Sequence, residues 1–158
     1  MPDNTPDIFD LARTNKAEEL KAALNPDNVN TPDSRGATPL LLAAYYNNTA
    51  AAQVLLEAGA DPNLQDSMGN TALMGISFKG YVNIAKLLLD HKAQVDLTNN
   101  TGSTALIFAA TFGQAPLIQL LLDHGANKML RDRSGKSAAN YARDNGKTEA
   151  LKLLTEGE

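Results

Sequence analysis

The sequence predicts an all-α solenoid of helix-turn-helix units stacked side by side, each with a short β-turn or hairpin at its tip. Three observations lead there. Glycines recur at Gly36, Gly69, Gly102 and Gly135, a step of 33 residues. A fixed period in this range is what one small unit stacked on copies of itself produces. The residues around each glycine repeat one helix opening: RGATPLLLAA from Arg35 returns as MGNTALMGIS from Met68, TGSTALIFAA from Thr101 and, more faintly, SGKSAANYAR from Ser134. A second apolar stripe follows in every copy. In the middle one it is Ile84, Leu87 and Leu88, matched by Ala51, Val54, Leu55 and by Leu117, Leu120, Leu121; spacing of i, i+3, i+4 puts such residues on one helix face.

At 158 residues the chain is expected to be one domain, 1–158, with its core shared among the units. Residues 1–6 are polar and proline-bearing and predict a frayed start. In 7–32, Ile8, Phe9, Leu11 and Ala12 predict a short helix, Asn15 a left-handed turn, and Leu20, Ala23 and Leu24 a second helix. This pair lacks the Gly-x-Thr opening, and its exposed Glu18, Glu19 and Lys21 suit an N-terminal cap repeat. Three internal repeats follow, 33–65, 66–98 and 99–131. Each opens on Asp33, Asp66 or Asn99, and the carboxylates Asp33, Asp66 and Asp132 form a ladder expected to hydrogen-bond the backbone of each turn. Thr38, Thr71 or Thr104 then caps a first helix of about nine residues, and Pro39 fits the first helical position. Asn47, Gly80 or Gly113 ends it, residue types that tolerate positive φ. The second helix leads through AGADPN, HKAQVD or HGANKM to an extended stretch. Residues 132–158 keep Gly135, Ser137 and Gly146 in register but carry more polar helices, as a C-terminal cap repeat requires.

These units resemble the ankyrin repeat family, whose 33-residue unit carries a T-P-L-H-x-A signature. Thr38-Pro39-Leu40 and Ala43 match it, as do the Leu-Leu pairs and Gly59-Ala60-Asp61-Pro62-Asn63, and the likeness covers about residues 7–155. The signature histidine is replaced by Leu41, Met74, Ile107 and Asn140. In the family that imidazole ties neighbouring repeats by hydrogen bonds, so apolar packing is expected to do so here. The middle repeat is the least regular. Gly75 falls inside its first helix, at about 1 kcal/mol relative to Ala, and Lys92 stands where Gly59 and Gly125 occupy the other copies.

Composition narrows the function. No cysteine means no disulfide, thiolate metal site or cysteine nucleophile, and fits a reducing, cytoplasmic compartment. No secretion signal is visible at the start, although trimming would hide one. No apolar run reaches the roughly 18 residues of a membrane span. The net charge of −4 gives no general attraction to nucleic acid or anionic lipid. Residues 128–158 are mildly basic, seven Lys/Arg against five Asp/Glu, but no aromatics alternate with those charges as a stacking platform for bases needs. His91 and His124 lie one period apart, too far to share a metal if helices stack about 8–10 Å apart. No phosphate loop or Ser/His/Asp grouping stands out, so an enzyme reading has no residues to rest on, and neither cofactor nor metal is expected.

The resemblance implies a concave side built from the turn tips and the exposed flank of each first helix, binding a protein partner without catalysis. The residues the repeat itself does not require are the candidates for that contact. At the tips these are Arg35, Met68, Asn70, Thr101, Ser103, Arg133 and Lys136; on the helix flanks, Tyr45, Tyr46, Phe78, Lys79, Thr111 and Phe112. Four of the eight aromatics fall in that last group, and clustered exposed aromatics are what a binding hot spot requires. A second reading stands beside it: Tyr46, Lys79 and Phe112 share a repeat position, so the lysine is placed to sit between two rings and brace the stack. The expected function is a monomeric protein-interaction module. The alternative is a regulatory or inhibitory subunit of a particular enzyme; nucleic-acid binding through the basic end and catalysis rank below both.

Overall fold

Five successive helix pairs form two parallel layers. The computed structural model describes residues 6–156, so most of the expected frayed start lies outside the described residues. Within them the order is α1 (Ile8–Arg13), α2 (Ala17–Ala23), α3 (Pro39–Tyr45), α4 (Thr49–Glu57), α5 (Ala72–Ser77), α6 (Val82–Asp90), α7 (Ala105–Thr111), α8 (Ala115–Asp123), α9 (Ala138–Asp144) and α10 (Thr148–Thr155). The first helices, α1, α3, α5, α7 and α9, pack on one another in sequence, and the second helices do the same. Each pair closes on itself as well, so every internal pair is covered on both sides by its neighbours.

The helix starts follow from their caps. Thr38, Thr71, Thr104 and Ser137 each have extended backbone and a hydroxyl that accepts the N–H three residues on, at 3.2–3.4 Å. This satisfies one of the donors that a helix start leaves without a partner. The first helices are six or seven residues long, shorter than the nine expected from the distance between cap and turn. The last turn leaves helical geometry early, because the chain must reach a left-handed residue: Asn47 at φ 59°, Gly80 at 79°, Gly113 at 69°.

The interior is a ladder of equivalent side chains. Leu55, Leu88, Leu121 and Leu154 are at most 1% exposed, and Ala43, Ile76, Ala109 and Ala142 are fully buried one layer away. The buried edge of each second helix differs slightly from the expected stripe. Val54, Leu87 and Leu120 are only half-buried, while Ala52, Ala85 and Ile118 are inside. Neighbours press on both sides of the helix, so the buried face turns toward i+1. At the position of the missing histidine, Leu41, Met74 and Ile107 are buried in the same cluster, and Asn140 instead completes a capping box with Ser137.

Each tip is tied by one side chain. Oδ1 of Asp33, Asp66, Asn99 or Asp132 accepts two backbone N–H groups across its turn, for example from Arg35 at 2.8 Å and Ala37 at 2.9 Å. One further backbone bond joins each tip to the next: Ser67 N–H to the Arg35 carbonyl, Asn100 to Met68, Arg133 to Thr101, at 3.0–3.1 Å. The tips approach so closely that a Cβ on Gly36 would lie 2.9 Å from the Ser67 nitrogen. No strand forms among the described residues; the pairing is a series of single bonds, plus one isolated bridge between Arg131 and Ser137.

Side chains also link the units behind the tips. Asn30, Asn63 and Asp96, one period apart, each accept a backbone N–H from the following unit, from Asp61, Gln94 and Asn127. Asn48 donates to the Ala12 and Arg13 carbonyls, and Gln114 to that of Phe78 at 3.0 Å. The equivalent residue in the middle unit is Tyr81 rather than an amide. There Lys79 supplies the tie, its ammonium donating to the Tyr45 carbonyl at 3.3 Å. No described helix is long and apolar enough to cross a membrane.

Candidate partner-binding face

The first helices of the three internal units end in aromatics. Tyr45 closes α3, Tyr46 and Phe78 are the residues just past α3 and α5, and Phe112 follows α7. Because these ends stack, the rings form a run along the molecule. Tyr46 meets Tyr45 edge-on at 5.3 Å, Tyr45 lies 6.4 Å from Phe78, and Phe78 lies 5.8 Å from Phe112. Such spacings are favourable for tilted aromatic pairs. Even so, Tyr45 is 44% exposed and Tyr46 and Phe112 are each 51% exposed; Phe78 is half-buried.

Lys79 braces this run differently from the arrangement expected of it. Its ammonium sits over Tyr45, 3.8 Å from the ring centroid, and within 6 Å of the Phe78 and Tyr81 rings. It does not lie between Tyr46 and Phe112. The Tyr45 carbonyl draws it toward the preceding helix end, and the Tyr45 ring lies on that path.

Between the tips and these helix ends lies a groove of about 420 Å³. Its walls are Arg35 and Asn70 from two tips with Leu42, Tyr45, Tyr46 and Phe78 from α3, α5 and their ends, and Gly75 lies on its lining. The sequence had pointed to most of these, but not to Leu42 or Gly75. Their common register, shared with Phe108 and Tyr141, could have been found by asking which flank position varies most in size.

The other candidates divide by what their side chains do. Arg35, Met68 and Arg133 are exposed at the first, second and fourth tips, Met68 at 66%. Asn70 accepts a bond from Asn99 at 2.9 Å. Thr101 donates to Asn99 at 2.8 Å. Ser103 is buried, with its hydroxyl 3.2 Å from that of Thr101. Thr111 is half-buried and donates to the Ile107 carbonyl at 2.8 Å. Lys136 pairs with Asp144 at 3.1 Å and lies 5.4 Å from the Tyr141 ring.

Several ionisable groups are engaged within the fold. His91 and His124 each contact the carbonyl four residues back through Nδ1, at 2.9 Å, at the ends of α6 and α8. Among the described residues no cluster of three or more His, Cys, Asp or Glu side chains is placed to hold a metal. At the Asp132 tip, burial pushes the carboxyl up. The hydrogen bond from the Tyr141 hydroxyl, those from the Lys136 and Ser134 backbone and the Lys136 charge outweigh this, and hold it below its ordinary value. The same bond raises Tyr141, with burial and the Asp132 and Asp144 charges adding to the rise.

A two-layer helical stack with bonded tips and an open aromatic-lined groove defines the class: a helical repeat solenoid. The chain belongs to the ankyrin repeat family. A family model described as ankyrin repeats (3 copies) matches residues 8–99 and again 73–158. Curated relatives match over shorter stretches. The human oxysterol-binding protein-related protein 1 is 46% identical over 61 residues, 37% of this chain and 6% of that protein. The human mitochondrial disaggregase is 41% identical over 58 residues, 36% and 8%. The human DNA-binding protein RFXANK is 42% identical over 59 residues, 36% and 23%. The matches thus span less than a quarter of each relative. What is shared is the repeat, and ankyrin repeats are in general non-catalytic modules for binding proteins.

Proposed function

We propose that this chain binds one partner protein through the face built from its tips and first-helix ends, concave in the family. Tyr45, Tyr46, Phe78 and Phe112 are the anchors, and Arg35, Met68 and Arg133 supply contacts at the tips. The observation that carries this is the aromatic run itself. Its rings pack on one another in fixed spacing and still leave about half of three side chains in water. Large side chains held in place before binding lose little freedom on association, and aromatic anchors dominate interface energies. Ser103 and Thr111 are left out of the proposed contact, because their hydroxyls are engaged within the fold.

The test is capture from the native lysate with the wild-type chain beside a Tyr46→Ala/Phe112→Ala double variant. Loss of a hot-spot ring costs about 2 kcal/mol or more, roughly 30-fold in affinity. The double variant is expected to keep its helical circular dichroism and to lose the specific partner. Recovery of the same proteins by both chains would remove the proposal.

A further inference from the structure

Gly75 has no backbone reason to be glycine. It lies inside α5, its φ is not in the left-handed region, and a Cβ built on it would meet nothing within 4 Å. Helix propensity argues against glycine here, and packing does not ask for it. The equivalent positions in the other units hold Leu42, Phe108 and Tyr141, all large. A single absent side chain therefore cuts away the flank of α5 between two bulky neighbours. The groove opens there, next to Leu42, Tyr45 and Phe78. The whole groove, at about 420 Å³, falls within the size range of small-ligand pockets and has room for a large side chain.

The charges around the notch have one sign to spare. Arg35 lines the groove, is exposed, and its guanidinium has no hydrogen bond or ion pair among the described residues. Lys79 adds a second cation at the Tyr45 wall. Asp66, the one carboxylate on the lining, keeps its charge while its Oδ1 accepts the Met68 and Asn70 N–H groups, so two cations stand against one anion here. This positive mouth stands in a chain whose net charge is −4.

We infer that the Gly75 notch is the specificity pocket of the partner-binding face. It takes one bulky apolar side chain of the partner protein, from a segment that carries a carboxylate beside it to meet Arg35. This rests on the partner-binding reading above and adds what the partner must present. Leu42, Tyr45 and Phe78 supply the apolar walls, and Gly75 supplies the space.

The test is selection of a displayed library of random short peptides on the full chain, followed by affinity measurements of the selected peptides on variants. The wild type is expected to enrich peptides that share a bulky apolar residue next to Asp or Glu. Gly75→Leu restores the side chain found at position 42, and is expected to lower their affinity roughly 10-fold or more, the worth of burying one large apolar side chain. Its circular dichroism should be unchanged and its melting temperature no lower. Arg35→Glu is expected to turn the preference from acidic to basic beside the same apolar residue. If Gly75→Leu does not fold, Gly75→Ala carries the readout, and weaker binding by this stable variant supports the pocket. Undiminished affinity on a folded Gly75→Leu, or on Gly75→Ala where that carries the readout, overturns the inference, as does a wild-type selection that enriches no such peptides. Phe112→Ala, outside the groove, separates the two ideas. Peptides indifferent to Gly75 but lost on Phe112→Ala leave the broader reading standing. Peptides indifferent to both remove it as well.

Discussion

Asp132 does three jobs with one carboxylate. Oδ1 accepts the Ser134 and Lys136 N–H groups at 2.9 and 3.1 Å, and Oδ2 accepts the Tyr141 hydroxyl. These bonds need the ionised form, which is why its pKa lies below the ordinary value in the folded chain. A group depressed in this way contributes stability that is fully present above its unfolded value, about 3.9. The contribution is lost as pH falls from there through the lower folded value. Tyr141 is raised, so its share is present below about 10 and lost as pH climbs through its higher folded value. Acid unfolding followed by circular dichroism should therefore be less steep below about pH 4 for Asp132→Asn than for the wild type. Parallel acid limbs would show that this carboxylate is not coupled to folding. The turn role of Asp132 was legible from its place three residues before a periodic glycine, as with Asp33 and Asp66. The Tyr141 bond was not, because it joins residues nine positions apart by a geometry that only the folded tip creates.

The pair formed by α5 and α6 is expected to be the weakest internal element. It contains a glycine within α5 and a lysine at φ 71° where its neighbours have glycine. Its inter-unit tie comes from a flexible lysine in place of an amide. Gly75→Ala should stabilise the chain by about 1 kcal/mol, and Lys92→Gly by about 1 kcal/mol through relief of the left-handed strain, read as shifts in the urea midpoint. Amides of 66–98 should exchange with deuterium faster than those of 33–65 and 99–131; equal protection would contradict this. Both weak positions could be read from the chain alone, since each breaks a periodic rule. The substitution of Lys79 for an amide could not. Sequence periodicity aligns Lys79 with Tyr46 and Phe112, whereas the carbonyl it satisfies belongs to Tyr45. The lengths of the first helices were overestimated for a related reason: the turn residue is visible in the sequence, but the early departure toward it depends on the fold.

Across the whole molecule stability passes from neighbour to neighbour, as in any stack whose units touch only those beside them. Leu88 lies between the Leu55 and Leu121 rungs, while in this chain Leu154 has a rung on one side. Leu88→Ala should cost about 2–5 kcal/mol and lower the main unfolding transition. Leu154→Ala should act mainly on the α9 and α10 pair, visible as an earlier, smaller transition in chemical denaturation. Identical melts for the two would argue for a single cooperative core in place of a chain of coupled units.

The brace formed by Lys79 has a consequence for anyone mapping this surface by alanine substitution. Removing it leaves the Tyr45 carbonyl without its donor and the phenol without its cation. A weakened complex would then mix the loss of a cation at the groove with damage to the scaffold behind the ring, and alanine alone would score both as a direct touch between lysine and ligand.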